Sequence, residues 1–146
     1  MSSGDSISGG CACGRIRYDY SGELILSVNC HCRNCQRAAG AAYAAIVLAW
    51  ENMFEVTKGE IRYYVREPED GDYLRRGFCS SCGSPVAMLR PLRPKLAYIL
   101  VGSLDFPELY KPSMNIFIEQ AHSWDVLDES LDSFAGMPAM PDELGQ

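Results

Sequence analysis

Seven cysteines fall into three tight groups: Cys11-Ala12-Cys13-Gly14, Cys30-His31-Cys32-Arg33-Asn34-Cys35 and Cys79-Ser80-Ser81-Cys82-Gly83. Disulfide frameworks favour even counts and wider spacing. Gaps of C-x-C and C-x-x-C instead bring several sulfurs to one small volume, as a tetrahedral zinc ion requires. The spacing divides the seven into four plus three. Cys11, Cys13, Cys79 and Cys82 would close one structural zinc completely. Cys30, Cys32 and Cys35 would hold a second zinc with one position left open.

Each outer pair is followed directly by a glycine, Gly14 or Gly83. A permissive backbone there lets N–H groups turn toward the sulfurs and offset part of a four-thiolate charge. The competing reading is two unconnected pairs of buried thiols. The triplet has the pattern of a catalytic, exchangeable zinc: three protein ligands and a replaceable fourth. A soft open position suits a substrate thiol, whose pKa the metal would lower to give a thiolate nucleophile. Such a thiolate attacks an aldehyde carbonyl, and the reverse reaction cleaves a carbon–sulfur bond. Cys30, Cys32 and Cys35 are therefore the candidate catalytic residues. The competing reading is a closed site completed by His31 or by a distant residue. Lying between two ligands, His31 should point away from a metal that both hold, and it reads better as a supporting or surface residue. His122 reads as an orienting group or as solvent-exposed.

Other chemistries fit less well. Cys79-Ser80-Ser81-Cys82 is formally a C-x-x-C redox motif, but thioredoxin-like chemistry wants it at a helix start in a βαβ setting. The glycine-rich run Gly9 to Gly14 belongs to a metal knuckle. No dinucleotide fingerprint, Walker loop or Ser/His/Asp order is present, so no organic cofactor is expected.

The elements that must position these sulfurs read as strands. Arg15 to Tyr20 alternates, Leu24 to Val28 leads into Cys30, and Tyr43 to Trp50 is apolar almost throughout, as in a buried strand. Met53 to Val56, Ile61 to Val65, Tyr73 to Phe78, Pro85 to Leu89, Leu96 to Val101 and Met114 to Glu119 continue the series, with a strong turn signal at Pro68 to Gly71. Helix is scarce: short turns at Cys35 to Ala39 and at Pro107 to Tyr110 (with Asp105 as a cap), and a weak candidate at Trp124 to Leu131. The expected fold is mostly β, antiparallel sheets clipped together by metal. Residues 1–134 form a single zinc-binding domain, and residues 135–146, rich in Gly, Pro, Met and acid, form a loosely held tail.

The chain has 146 residues and a formal net charge of −6. Seven thiolates and two Zn²⁺ ions would take that to about −9. So acidic a chain is a poor nucleic-acid binder. Arg15, Arg33, Arg37, Arg75 and Arg76 lie close to cysteines in sequence and could offset thiolate charge or grip an anion. No apolar run approaches the roughly 20 residues of a membrane span. Met1 to Gly10 lacks the marks of a secretory signal, so the reducing cytoplasm is the expected location.

The chain resembles the glutathione-dependent formaldehyde-activating enzyme family, which also includes centromere protein V. The resemblance is carried by Gly9-Gly10-Cys11-x-Cys13-Gly14, Cys30-His31-Cys32-x-x-Cys35 and Phe78-Cys79-x-x-Cys82-Gly83-Ser84. Gly102-Ser103-Leu104-Asp105, Asn115-Ile116-Phe117 and Trp124 extend it, so that it spans Ser8 to Phe134. It implies a zinc-held β-tent, a structural zinc on Cys11, Cys13, Cys79 and Cys82, and a second zinc on Cys30, Cys32 and Cys35 where thiol chemistry occurs. It implies a carbon–sulfur lyase joining formaldehyde to glutathione, or running the reverse. In that reading Arg33 or Arg37 would take a substrate carboxylate. The alternative is a non-catalytic, zinc-stabilised protein-binding module.

Overall fold

The computed structural model describes residues 6–65, 74–91 and 95–140. The turn signal at Pro68 to Gly71 lies outside them. The strands are β1 (Ile7–Gly10), β2 (Arg17–Tyr20), β3 (Leu26–Cys30), β4 (Ala44–Trp50), β5 (Phe54–Lys58), β6 (Arg62–Val65), β7 (Arg75–Phe78), β8 (Pro85–Arg90), β9 (Leu96–Leu100), β10 (Met114–Ile116) and β11 (Asp132–Ser133), and the one α-helix among the described residues is α1 (Arg33–Ala39). They form a three-stranded sheet in the order β1-β2-β5 and an eight-stranded sheet in the order β11-β10-β3-β4-β9-β8-β7-β6. The fold is mostly β, as expected. All pairings are antiparallel except those of β10 with β3 and β11.

The large sheet is covered on both sides, which explains why β4 has no polar face. One side carries Val47, Ala49, Ala87, Ala97 and Ile99. It packs against Ile7, Tyr18 and Tyr20 of the small sheet. The other side carries Val28, Ile46, Leu48, Met88 and Leu100 and packs against Cys35 and Ala39 of α1. The two cysteine groups thus serve different layers.

Strand β1 was not evident in the sequence, because Gly9 and Gly10 contribute no side-chain pattern. The packing shows why glycine stands at position 9. A Cβ there would lie 2.3 Å from the Ser103 carbonyl oxygen and 2.3 Å from the Tyr18 hydroxyl. Tyr18 is fully buried and its hydroxyl meets Ser103 Oγ at 2.7 Å. Burial pushes the Tyr18 phenol up to about 12, so it stays protonated and available to donate. Gly9→Ala is expected to lower stability by about 1–3 kcal/mol through overpacking. Chemical denaturation of the two proteins measures this, and an unchanged midpoint would show that the two sheets do not meet this closely.

Two further expectations are corrected. Residues 124–131 form turns rather than a helix, with Asp128 accepting from the Ser130 N–H at 3.0 Å. Asp105 does not cap the turn at Pro107–Leu109, whose cap position is Phe106 and has no side-chain cap bond. Asp105 instead takes Ser8 Oγ at 2.7 Å and a bidentate bond from Arg17, which holds its carboxyl below the usual carboxylate range.

Candidate metal centres

The turn after β1 and the turn after β7 meet. The sulfurs of Cys11, Cys13, Cys79 and Cys82 all lie within 4.8 Å of one another. Cys11 to Cys13 is 3.6 Å and Cys13 to Cys79 is 3.8 Å, too long for a disulfide. A tetrahedron with metal–sulfur bonds of about 2.3 Å has edges of about 3.8 Å, so the thiols already stand where four zinc ligands would.

The two turns are alike for a physical reason. Gly14 and Gly83 both take φ 79°, a left-handed conformation that closes each loop on its first cysteine. Gly14 N–H bonds the Cys11 carbonyl at 3.2 Å, and Gly83 N–H bonds the Cys79 carbonyl at 2.8 Å. The tightened backbone aims its N–H groups at sulfur. Ile16 donates to Cys11 Sγ at 3.2 Å, and Ser81 and Cys82 donate to Cys79 Sγ at 3.4 and 3.5 Å. Ser84 joins the turns, accepting from the Ala12 N–H at 3.1 Å and meeting Cys82 Sγ at 3.2 Å. Bonds from Ser84, then from the Cys13 backbone, bring the Cys82 thiol down to about 5. The Cys13 sulfur in turn holds the Arg15 guanidinium firmly charged. One turn belongs to the small sheet and the other to the large one, so a metal here would fasten the two together.

The triplet is built differently. Cys30 ends β3, Cys32 caps α1 and Cys35 lies in its first turn, and their three sulfurs also fall within 4.8 Å. Cys32 Sγ accepts the Cys35 N–H at 3.3 Å, as a serine would at a helix N-cap. The loop is stapled from below by Gln36, whose Nε2 donates to the His31 carbonyl at 2.7 Å and the Gln120 carbonyl at 3.1 Å. His122 Nε2 lies 2.7 Å from Gln36 Oε1 and is the orienting rather than the free histidine. Nothing in the sequence singled out Gln36. Hydrogen bonds from Cys30, then from Cys35, hold the Cys32 thiol far below the thiol range. The same sharing pushes Cys30 up to about 12 and Cys35 higher still.

His31 is 1% exposed and turned away from the sulfurs. Its Nε2 lies 3.2 Å from Asn115 Oδ1, its Nδ1 lies 3.3 Å from Asp125 Oδ2, and its ring sits against Tyr43. Among the described residues no His, Asp or Glu joins either sulfur group. Arg33 donates its guanidinium to Gln36 Oε1, while Arg37 is exposed at the end of α1.

A mostly β domain with one four-sulfur and one three-sulfur cluster, each able to hold zinc, defines the class. The model of the family described as "Glutathione-dependent formaldehyde-activating enzyme" matches residues 6–120, and the chain belongs to that family. A Halomonas elongata protein named "Putative glutathione-dependent formaldehyde-activating enzyme" is 27% identical over 140 residues, covering 90% of this chain and 88% of its own length. The fold is similar to that in a crystal structure of a Rhodobacter sphaeroides protein, with a TM-score of 0.55 at 20% identity, covering 72% of this chain and 96% of that one. No helix among the described residues is long and apolar enough to cross a membrane.

Proposed function

We propose that the chain is a zinc-dependent carbon–sulfur lyase acting on a small thiol–aldehyde adduct of the S-hydroxymethylglutathione kind. The observation that supports this most is the triplet, three convergent sulfurs at the junction of β3 and α1 with no fourth described ligand. Cys30, Cys32 and Cys35 would hold an exchangeable zinc, and Cys11, Cys13, Cys79 and Cys82 a structural one. Bound at the triplet, zinc supplies Lewis acidity that keeps a thiol ionised near neutrality.

The chain's own residues prepare the place. The Cys30 and Cys35 thiols, and after them the Cys35 N–H, lower the pKa of Cys32, and Gln36 holds the loop that carries all three sulfurs. In the synthetic direction the thiol adds across the aldehyde C=O. A carbon–sulfur bond forms, the C=O π bond breaks and the thiol proton ends on oxygen. Cleavage reverses each change. Reduced thiols need a reducing compartment, and we place the protein in the cytoplasm, its zinc domain spanning residues 1–134 ahead of a tail at 135–146.

Exchange NMR on a mixture of glutathione and formaldehyde tests the reading. The zinc-loaded protein should speed interconversion of free glutathione and its hydroxymethyl adduct above the buffer rate. An unchanged exchange rate with both sites loaded would overturn it.

A further inference from the structure

Strand register places Arg62, Arg76 and Arg90 on the sulfur side of the large sheet, and of these three Arg76 lines a cleft there. Cys30 pairs with Ala44, two residues from Ile46, which pairs with Leu100. Leu100 lies two residues from Tyr98, and Tyr98 pairs with Met88, Met88 with Arg76, and Arg76 with Tyr64. Side chains alternate along strands, so Cys30, Leu100, Met88, Arg76 and Tyr64 all face the side on which α1 lies. A cleft of about 260 Å³ opens there, lined by Ala38 of α1, by Tyr64, Arg76, Met88 and Leu100 of the sheet and by Gly83 of the four-cysteine turn. Met88 and Leu100 also belong to the apolar cluster that contains Cys30 and Cys35. Ala38 follows Cys35 by three residues, about 4.5 Å along the helix and on the same face. The cleft therefore begins within one turn of a triplet sulfur. Its volume suits a small ligand rather than a large one, since sites for drug-sized ligands start near about 300 Å³.

Arg76 is half-buried in that cleft and has no hydrogen bond or ion pair with any described residue. Other arginines near the sulfurs differ: Arg15 faces Cys13, Arg17 binds Asp105, Arg33 binds Gln36, and Arg37 is exposed at the end of α1, outside the cleft lining. A larger hollow of about 550 Å³ lies beside Cys11, but its Arg17 and Asp105 already neutralise each other. A half-buried guanidinium with no anion among the described residues keeps its planar fork open, and that fork matches a carboxylate bidentately.

We infer that Arg76, paired with Tyr64 across β6 and β7, is the carboxylate-recognising residue of this cleft, so that the site selects small thiols that carry a carboxylate several atoms from sulfur. The thiol end of this assignment rests on the lyase reading; the anion end stands on the cleft alone.

Calorimetric titration of the zinc-loaded protein separates the two. The probes are glutathione, its diethyl ester, and S-methylglutathione, which keeps both carboxylates but has no free thiol. Arg76→Gln should weaken glutathione and S-methylglutathione alike by roughly tenfold to a hundredfold, the range of a lost charge-assisted pair. Arg76→Lys should fall between, because it keeps the charge and loses the fork. The ester should bind wild type and Arg76→Gln equally, and Arg37→Gln should match wild type throughout. Equal affinity of wild type and Arg76→Gln for S-methylglutathione, or no binding of S-methylglutathione to wild type, overturns the inference. Should its binding depend on Arg76 while exchange NMR shows no acceleration, the anion site stands and the lyase reading falls. Should exchange be accelerated equally in Arg76→Gln, the lyase reading stands and the anion site falls.

Discussion

Cys79→Ala is expected to leave a chain with no cooperative unfolding transition at room temperature and with the zinc of the four-cysteine site lost. Cys79 is 2% exposed and sits where the β7–β8 turn meets the β1–β2 turn. Its sulfur accepts two N–H groups, from Ser81 and Cys82, which lose their acceptor in the variant. Three thiolates would remain around an incomplete site. The small sheet is then fastened to the large one mainly by the Gly9–Leu104 bridge, the Tyr18–Ser103 bond and their apolar contacts. Structural zinc contributes folding free energy on the scale of a whole domain's stability, so its loss is not absorbed by the rest of the fold. Circular dichroism melting and zinc content per chain check this. A variant with wild-type zinc content and wild-type melting would mean that the four sulfurs hold no structural metal.

Cys32→Ser is expected to behave in the opposite way: folded, with the four-cysteine site intact, and inactive. Serine is a preferred N-cap, and its hydroxyl can take over the bond from the Cys35 N–H. Helix α1 therefore keeps its start, and the melting temperature should change little. The chemistry does not survive, because a hydroxyl at this position is neither a thiolate nor a soft ligand. Exchange of glutathione with formaldehyde should drop at least about a hundredfold, beyond what loss of a supporting hydrogen bond costs a metal site. Retained exchange in Cys32→Ser would move the reaction away from the triplet. Collapse of the fold in Cys32→Ser would instead make the triplet structural.

What could be read from the sequence was whatever is local. Cysteine spacing of two or three residues forces sulfurs into one loop, so the three groups were legible without a fold, whereas joining the 11/13 pair to the 79/82 pair, 66 residues on, rested on the four ligands a closed zinc needs. Strand β4 was legible because burial on both faces leaves an unbroken apolar run. Strand β1 was hidden by its two glycines, which matter through what they avoid touching. Residues 124–131 form turns instead of the weak helix expected because Asp128 and Ser130 bond locally in competition with a helix. Pairings such as Arg17 with Asp105, 88 residues apart, could not be seen. The same holds for Arg76: its place depends on register passed across β9, β8 and β7. The sequence named five arginines near cysteines, but only the fold distinguishes Arg76, which lines the cleft, from Arg15 and Arg33, already engaged, and from Arg37, exposed at the end of α1.

The most direct test of the central claim is the electronic spectrum of the cobalt-substituted protein during a glutathione titration. Sulfur-to-cobalt charge-transfer bands scale with the number of bound thiolates. The account predicts that glutathione raises the band at the three-cysteine site only, leaves the four-cysteine signal unchanged, and has no effect in Cys32→Ser. A fully metallated protein whose spectrum no concentration of glutathione alters would contradict it.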